Sequence, residues 1–349
     1  MPVFSLHYLR RVGAEVFSAS GAEPAAADVV AGLLADANAV GHDSHGVIRI
    51  PTYIKWIQEN KTQLNQTISI ETDNGSMVVV DGKVGLGQSI GEQAMNLGIE
   101  RAKEYGVAVI ALKDSAHLGR IGDWPEMCAK AGMVSVHFVN TSGMGNLVAP
   151  YGAIERRLSA NPFAAGVPTN DEFPLILDMS ACTIAEGKIR VALHAGKQVP
   201  EGCIIDSEGK PTTDPKTFYG PPAGSILPIA GHKGYALSMI IEMMAGAMTG
   251  GSCTNPERAD VLTNGMLSII MDRSKLQTED YFYNEVNRYC DYVRSAKLID
   301  NNNKILMPGE IEFNTRAQRR AEGIELSQTT VDMIQDTCDS LGVEPGISV

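Results

Sequence analysis

Apolar residues recur at helical spacing through residues 24–40, with Val29, Val30, Leu33, Leu34 and Ala37 in register, and Gly41 ends the run. A polar segment, His42 to Gly46, leads into a second apolar run over 47–58, which Pro51 kinks or restarts. Residues 77–80 form a continuous apolar stretch running into Asp81-Gly82, a hairpin signal. The pattern then predicts an amphipathic helix over 89–105 and a buried strand over 107–112. Over 133–139, Val134, Val136 and Phe138 alternate with Ser135 and His137, as in a half-buried strand. A short strand at 175–177 and a helix at 181–195 follow, and the Gly- and Pro-rich stretch 196–233 reads as loops. Residues 235–248 are apolar almost all round, which predicts a buried helix. A strand at 267–271 and helices at 279–296 and 328–341 complete the pattern. Alternating strands and helices place the chain in the α/β or α+β class.

Composition narrows the function classes. The 349 residues carry a formal net charge of −12, so no bulk basic surface is available for nucleic acid or an anionic membrane. No apolar run approaches the length needed to span a bilayer, and residues 1–17 lack the apolar core of a signal peptide. The six cysteines are scattered without a CxxC pair and read as reduced structural thiols. A cytoplasmic globular enzyme is expected. The 35 glycines suggest many tight turns and close backbone approach to a ligand.

Gly85-Leu86-Gly87-Gln88-Ser89-Ile90-Gly91 follows a strand-like run and opens a helix, and Asp114 ends the next strand. This imitates a dinucleotide fingerprint. The spacing is GxGxxxG, however, and Asp81-Gly82 interrupts the strand before the glycines, so a hairpin followed by a packed helix is the preferred reading.

Three segments carry candidate chemistry. In Asp43-Ser44-His45-Gly46-Val47-Ile48-Arg49, His45 and Arg49 are four apart and share a face. An imidazole beside a guanidinium suits a 2-oxo acid: the histidine exchanges a proton with the carbonyl oxygen and the arginine grips the carboxylate, with Ser44 either bonding the same oxygen or orienting the imidazole. The alternative is a capping Ser44 with His45 and Arg49 as surface decoration. His42 and His45 lack the supporting ligands of a metal site, so none is expected. In Ser115 to Asp123, Gly119 and Gly122 permit close approach, Arg120 suits a phosphate, and His117 is a second acid/base candidate or else a satisfied loop histidine. Gly231-His232-Lys233-Gly234 opens the apolar helix, where backbone N–H groups and a lysine suit an anion. Met307-Pro308-Gly309-Glu310 reads as a turn.

Taken together, GHDSHGVIRIPTYI (41–54), VDGKVGLGQ (80–88), SAHLGRIGDWPE (115–126), SANPFAAGVPT (159–169), LDMSACTIAEGKI (177–189), LPIAGHKGYALSMIIEMMAGAMTG (227–250) and MPGEIE (307–312) resemble the type 2 malate/L-lactate dehydrogenases. These are NAD(P)-dependent oxidoreductases that include ureidoglycolate, sulfolactate and diketogulonate members and cyclic imino-acid reductases. The wording is most similar to the hydroxycarboxylate-dehydrogenase branch.

The resemblance implies a non-Rossmann cofactor-binding domain with a largely antiparallel central sheet, helical N- and C-terminal regions, and a homodimer with active sites near the subunit interface. It divides the chain into a helical region (1–70), a hairpin–helix–strand unit (71–127), a nicotinamide cofactor-binding domain (128–265) and a returning C-terminal region (266–349), and it assigns the glycines at 85–91 to a hairpin. It implies a proton-exchange role for His45 or His117, a relay role for Ser44 and a carboxylate contact for Arg49. Contacts to NAD or NADP fall on Arg120, Ile121, Gly122, Asp178, Met179, Ser180, His232, Lys233, Pro308, Gly309 and Glu310. Two departures bear on the substrate: Ala160 stands where many members have threonine, and Glu186-Gly187-Lys188 where Arg-Gly is usual. The expected reaction is hydride transfer at C2 of a small 2-hydroxy/2-oxo acid. The alternatives are reduction of a cyclic imino acid and a catalytically silent nucleotide- or acid-binding protein.

Overall fold

The computed structural model describes residues 2–143, 145–194, 196–258, 262–300, 303–344 and 346. Its centre is a seven-stranded sheet of β1 (Ser69–Asp73), β2 (Met77–Asp81), β3 (Val107–Ser115), β4 (Met133–Gly143), β5 (Pro162–Val167), β6 (Leu175–Ser180) and β7 (Leu262–Asp272), in the order β1-β2-β3-β7-β4-β5-β6. Only β2 and β3 run parallel; every other neighbouring pair is antiparallel. The sheet is thus mixed and mostly antiparallel, as expected. The run 133–139 extends to Gly143, and its alternation is inverted: Ser135 and His137 are the buried positions and Val134, Val136 and Phe138 the half-buried ones, because the polar pair meets Ser268 of β7 inside the fold.

The Asp81-Gly82 hairpin is not present. The hairpin lies one strand earlier, with β1 and β2 joined through Asn74 to Ser76. After Asp81 the chain enters the helix Gly87–Tyr105 and returns as the parallel strand β3, because Gly82 N donates to Lys113 O and Val84 N to Asp114 O, tying the turn to the far end of β3. The glycines of GxGxxxG face protein. A Cβ on Gly85 would meet Gln66 and Ile90, one on Gly87 the carbonyl of His117, and one on Gly91 the ring of Trp124.

Among the described residues, three apolar cores form. The helices Leu6–Ala19, Pro24–Ala39 and Ile50–Gln58 bury Leu9, Val16, Phe17, Leu34 and Ile50 together with Ile334 and Cys338 of the closing helix Gln328–Leu341. The helix Gly87–Tyr105 packs Ile90 and Met95 on the sheet beside Trp124 of Asp123–Lys130, a helix that the pattern did not predict. A smaller core joins Leu158, Ile189, Ile204 and Phe218, so the stretch 196–233 is more than loop. It holds short strands at Ile204–Ile205, Pro211–Thr212 and Ser225–Ile226 and a helical turn at Pro215–Tyr219.

The run 235–248 is helical but not buried on all sides. It forms an α-helix, His232–Glu242, continued by a π-turn at Met243–Ala247, and Ile240, Met243 and Met248 lie exposed along one side. No helix among the described residues is long and apolar enough to cross a membrane.

Candidate active site

The segment 43–49 folds as two 3₁₀ turns, Asp43–His45 and Val47–Arg49, feeding the helix Ile50–Gln58, which has Pro51 in its first turn. Buried Asn38 splints these turns. Its Oδ1 accepts from Val47 N at 2.8 Å and its Nδ2 donates to Asp43 Oδ1 at 2.7 Å. Gly46 is required there, since a Cβ would sit 2.1 Å from Asn38 Oδ1. Pro51 therefore restarts the helix rather than kinking it, and His45, Arg49 and Tyr53 are delivered in successive steps of four residues.

Within this frame Ser44 Oγ lies 2.9 Å from His45 Nδ1, and Arg49 Nε donates to Ser44 O at 2.7 Å. No hydrogen bond among the described residues occupies the two terminal nitrogens of Arg49, which leaves the forked end of the guanidinium for a carboxylate. His117, on the loop after β3, joins from the other side. Its ring stacks on His45 with centroids 5.6 Å apart and planes 20° from parallel. His117 Nδ1 lies 2.6 Å from Tyr53 Oη, which receives a hydrogen bond from Gln88 Nε2 at 3.2 Å. The surface-decoration alternative for His45 and Arg49 is thereby excluded. Sequence reasoning missed Tyr53 and Gln88, although the Arg49-to-Tyr53 spacing of four repeats the His45-to-Arg49 spacing that drew attention to the first pair.

Burial, followed by the Arg49 charge and then those of His42 and Arg120, pushes His45 down to about 3. The same causes, burial first and then Arg49 and His45, hold His117 well below its ordinary value. Both imidazoles are therefore neutral near pH 7, with lone pairs available to take a proton. Burial raises Tyr53 to about 12, so it keeps its hydroxyl hydrogen.

A third neutral imidazole, His137, sits wholly buried on β4 between Ser135 Oγ at 2.9 Å and Ser268 Oγ at 2.8 Å, and burial lowers it to about 3. It belongs to the sheet and not to the site, and it contributes to acid stability alongside His45 and His117. The unfolded chain binds this proton below pH ~6.5 and the folded chain only near 3. Stability is accordingly full above 6.5 and falls as pH drops, by up to about 1.4 kcal/mol per pH unit. His137→Gln is expected to flatten the acid side of a plot of unfolding free energy against pH, measured by urea titration. An unchanged slope would contradict the assignment.

The segments expected to meet the cofactor come together around β6. Gly122 N donates to Asp178 Oδ2 at 2.8 Å, and a Cβ on Gly122 would collide with that same carboxylate and with Arg120. Ile176 N donates to Pro308 O at 3.1 Å, which docks the 307–310 turn on the strand carrying Asp178, Met179 and Ser180. Gly309 takes φ +89° there and opens the helix Glu310–Glu322; Glu310 Oε2 turns back to accept from Met307 N at 2.9 Å. Ile229 N donates to Ala181 O at 3.0 Å, so the helix starting at His232 begins beside the end of β6. Gly231 supplies no side-chain cap to that helix, and His232 and Lys233 are exposed on its first turn.

Two expected cofactor residues are placed differently from the reading of their side chains. Arg120 is 3% exposed and turned inward, with Nη1 2.7 Å from Asp123 and 3.3 Å from Glu126, and Nε 3.8 Å from Asp178. Burial opposes its charge, but these carboxylates outweigh that and raise its pKa. It braces the loop and has no free face for a phosphate. Ile121 is buried in the sheet core. Gly122, the third residue of the loop, is buried as well, with its N–H taken by Asp178.

The segment at the departure Glu186-Gly187-Lys188 also belongs to the site. A Cβ on Gly187 would lie 2.8 Å from Ser44 Cβ, so the helix Glu186–His194 begins directly against the Ser44–His45 turn. Glu186 accepts from Tyr219 Oη at 2.7 Å and pairs with Arg190 at 2.6 Å.

Comparison with known proteins agrees with this picture. The Malate/L-lactate dehydrogenase family matches residues 4–335. Hydroxycarboxylate dehydrogenase B of Escherichia coli O157:H7 is 40% identical over 332 residues, 94% of this chain and 91% of that one. The structure of sulfolactate dehydrogenase from Methanocaldococcus jannaschii superposes with a TM-score of 0.88 at 31% identity, covering 99% of each chain. That of Δ1-piperideine-2-carboxylate reductase from Pseudomonas syringae pvar. tomato gives 0.83 at 28% identity, over 97% of this chain and 100% of that one. With its sheet, its loops and nearly its whole length accounted for by this match, the chain belongs to the malate/L-lactate dehydrogenase family.

Proposed function

We propose that the chain is an NAD(P)-dependent dehydrogenase that moves a hydride between the nicotinamide and C2 of a small 2-hydroxy/2-oxo acid. The observation that carries this reading is the pair of stacked, neutral imidazoles beside an arginine whose forked end is free. Arg49 holds the substrate carboxylate in two parallel hydrogen bonds, which orients C2 and its oxygen toward the imidazole edges. In oxidation an imidazole removes the hydroxyl proton; in reduction it returns one to the carbonyl oxygen. The bound nicotinamide supplies and accepts the hydride.

The residues present fit such a cofactor. The uncapped helix start at Gly231 offers N–H groups and Lys233 a point charge for a diphosphate. The backbone of 120–122, the strand end at 178–180 and the turn at 308–310 converge beside it, and we assign the nicotinamide-binding role to this non-Rossmann sheet region. The exposed side of the helix at Ile240, Met243 and Met248 suits a homodimer, in which a run that reads as buried all round would be covered by the partner.

The cyclic-imine alternative is less well supported here. A carboxyl able to protonate a substrate nitrogen is wanted near Lys188, but Glu186 is committed to Arg190 and Tyr219. Following NADH and NADPH absorbance across pyruvate, oxaloacetate, longer 2-oxo acids and cyclic imino acids tests all of these readings. Turnover is expected with one or more 2-oxo acids. Cofactor binding without turnover of any substrate would overturn the assignment in favour of a silent binding protein.

A further inference from the structure

Two histidines face the substrate position, and the chemistry needs only one proton carrier. Their second-nitrogen partners differ in a way that separates their roles. Gln88 Nε2 can only donate, so Tyr53 Oη, 3.2 Å away, is its acceptor. The Tyr53 hydroxyl has a single hydrogen, and its other neighbour is His117 Nδ1 at 2.6 Å. Among the described residues Nδ1 is the one partner that can take this buried hydrogen, so the hydroxyl is fully paired only when it donates to an unprotonated Nδ1 and neutral His117 carries its proton on Nε2. Tyr53 is 3% exposed and Gln88 1%, so water does not compete for this chain of donors.

His45 has no such constraint. Its Nδ1 faces Ser44 Oγ at 2.9 Å, and no other hydrogen bond of that hydroxyl is formed among the described residues. A serine hydroxyl turns freely and serves as donor or acceptor with equal ease. His45 can thus present Nε2 with or without a proton.

From this we infer that Gln88 and Tyr53 lock His117 as a fixed Nε2–H donor that polarises the substrate oxygen, leaving His45 as the histidine that exchanges the proton. The assignment rests on the dehydrogenase reading for its catalytic half only. In oxidation the C2 hydroxyl proton passes to His45 Nε2 as the C2 hydride leaves for the nicotinamide. In reduction the same proton returns to the oxygen as the hydride arrives at C2. Throughout, His117 holds its hydrogen and donates to the developing oxyanion, the role of a preorganised neutral donor. Tyr53 and Gln88 act through His117 and are positioning residues. The charged and titratable groups facing the two rings are Arg49, Tyr53, His42 and Arg120, and none carries a negative charge that would pull a proton onto His117 Nδ1.

The lock is read directly by ¹⁵N NMR of protein labelled at histidine, with the His117 signals identified by their disappearance in His117→Gln. A protonated Nε2 and an unprotonated Nδ1 are expected near pH 7, and Tyr53→Phe should bring Nδ1–H into the population. A protonated Nδ1 in the unsubstituted protein, as would follow if the Gln88 amide turned its oxygen to Tyr53, overturns the inference whether or not the enzyme reading holds. In kinetics with the best 2-oxo acid, His45→Gln should lose 10²–10⁴-fold in kcat together with the histidine limb of the pH profile. His117→Gln should lose 10–10²-fold and keep that limb. The limb vanishing with His117 and surviving without His45 reverses the roles. An absence of turnover in the unsubstituted protein sinks the function proposal and leaves the NMR result to stand alone.

Discussion

Replacing Arg49 with glutamine is expected to lower kcat/KM for the 2-oxo acid by about 10²–10³-fold, most of it through a higher KM. The terminal nitrogens of Arg49 form a cationic fork beside the two imidazoles, and its ε-nitrogen is already anchored on Ser44 O. A charge-assisted, two-pronged carboxylate contact of this kind is worth about 3–4 kcal/mol, which corresponds to that range. Arg49→Lys should recover only part of the loss, since an ammonium is a point donor without the planar fork. A second readout follows from the electrostatics. Arg49 is the largest cause after burial holding His45 low, so its removal should move the acid limb of the oxidation profile toward higher pH. Oxidation needs the neutral imidazole, and the variant would lose activity at a pH where the unsubstituted enzyme is still active. Steady-state kinetics from pH 9 down toward 3, where the His45 limb lies, test both parts. A KM within threefold of the original would place the carboxylate elsewhere.

Gly87→Ala is expected to damage both stability and catalysis. An added Cβ would lie 2.0 Å from the His117 carbonyl oxygen and 2.4 Å from its carbon, and neither is the movable end of a side chain. Either the helix Gly87–Tyr105 or the His117 loop must shift. Overpacking against backbone costs about 3 kcal/mol, and moving His117 off its Tyr53 partner should lower kcat at least tenfold. Gly32→Ala is the control. It also lies inside a helix, but nothing is within 4 Å of its added Cβ, so a gain of about 0.5–1 kcal/mol is expected. Urea unfolding of the two variants beside the parent separates crowding at Gly87 from a general effect of alanine in helices. Equal stabilities would refute the close-approach argument.

The sequence was most informative where periodicity and chemistry coincide. Spacing alone placed His45 and Arg49 on one face, and the segments around 120, 178, 231 and 308 do come together at the end of β6. What stayed hidden depended on long-range contacts. Asp81-Gly82 has the composition of a hairpin turn, and only its hydrogen bonds to Lys113 and Asp114 turn it into a strand–helix connection. Arg120 beside two glycines reads as a phosphate ligand, and only the three carboxylates gathered around it in space make it a brace. Gln88 stood inside a glycine-rich motif where attention went to the glycines. The exposed side of the helix at Ile240 and Met243 was invisible for another reason: a run that is apolar all round does not say which of its sides packs against the fold.

The position of β7 has a consequence for how the protein is made. It is the last of the seven strands along the chain, yet it lies between β3 and β4 in the sheet, pairing Met266 with Leu112 on one side and with Val139 on the other. Asn264 on the same strand accepts from Leu118 N at 2.9 Å, next to His117. During synthesis, therefore, β3 and β4 leave the ribosome with their facing edges unpaired, and the Asn264 tie to the His117 loop forms only after residues 262–272 emerge. Such late, distant pairing makes for slow folding and a period of exposed strand edges.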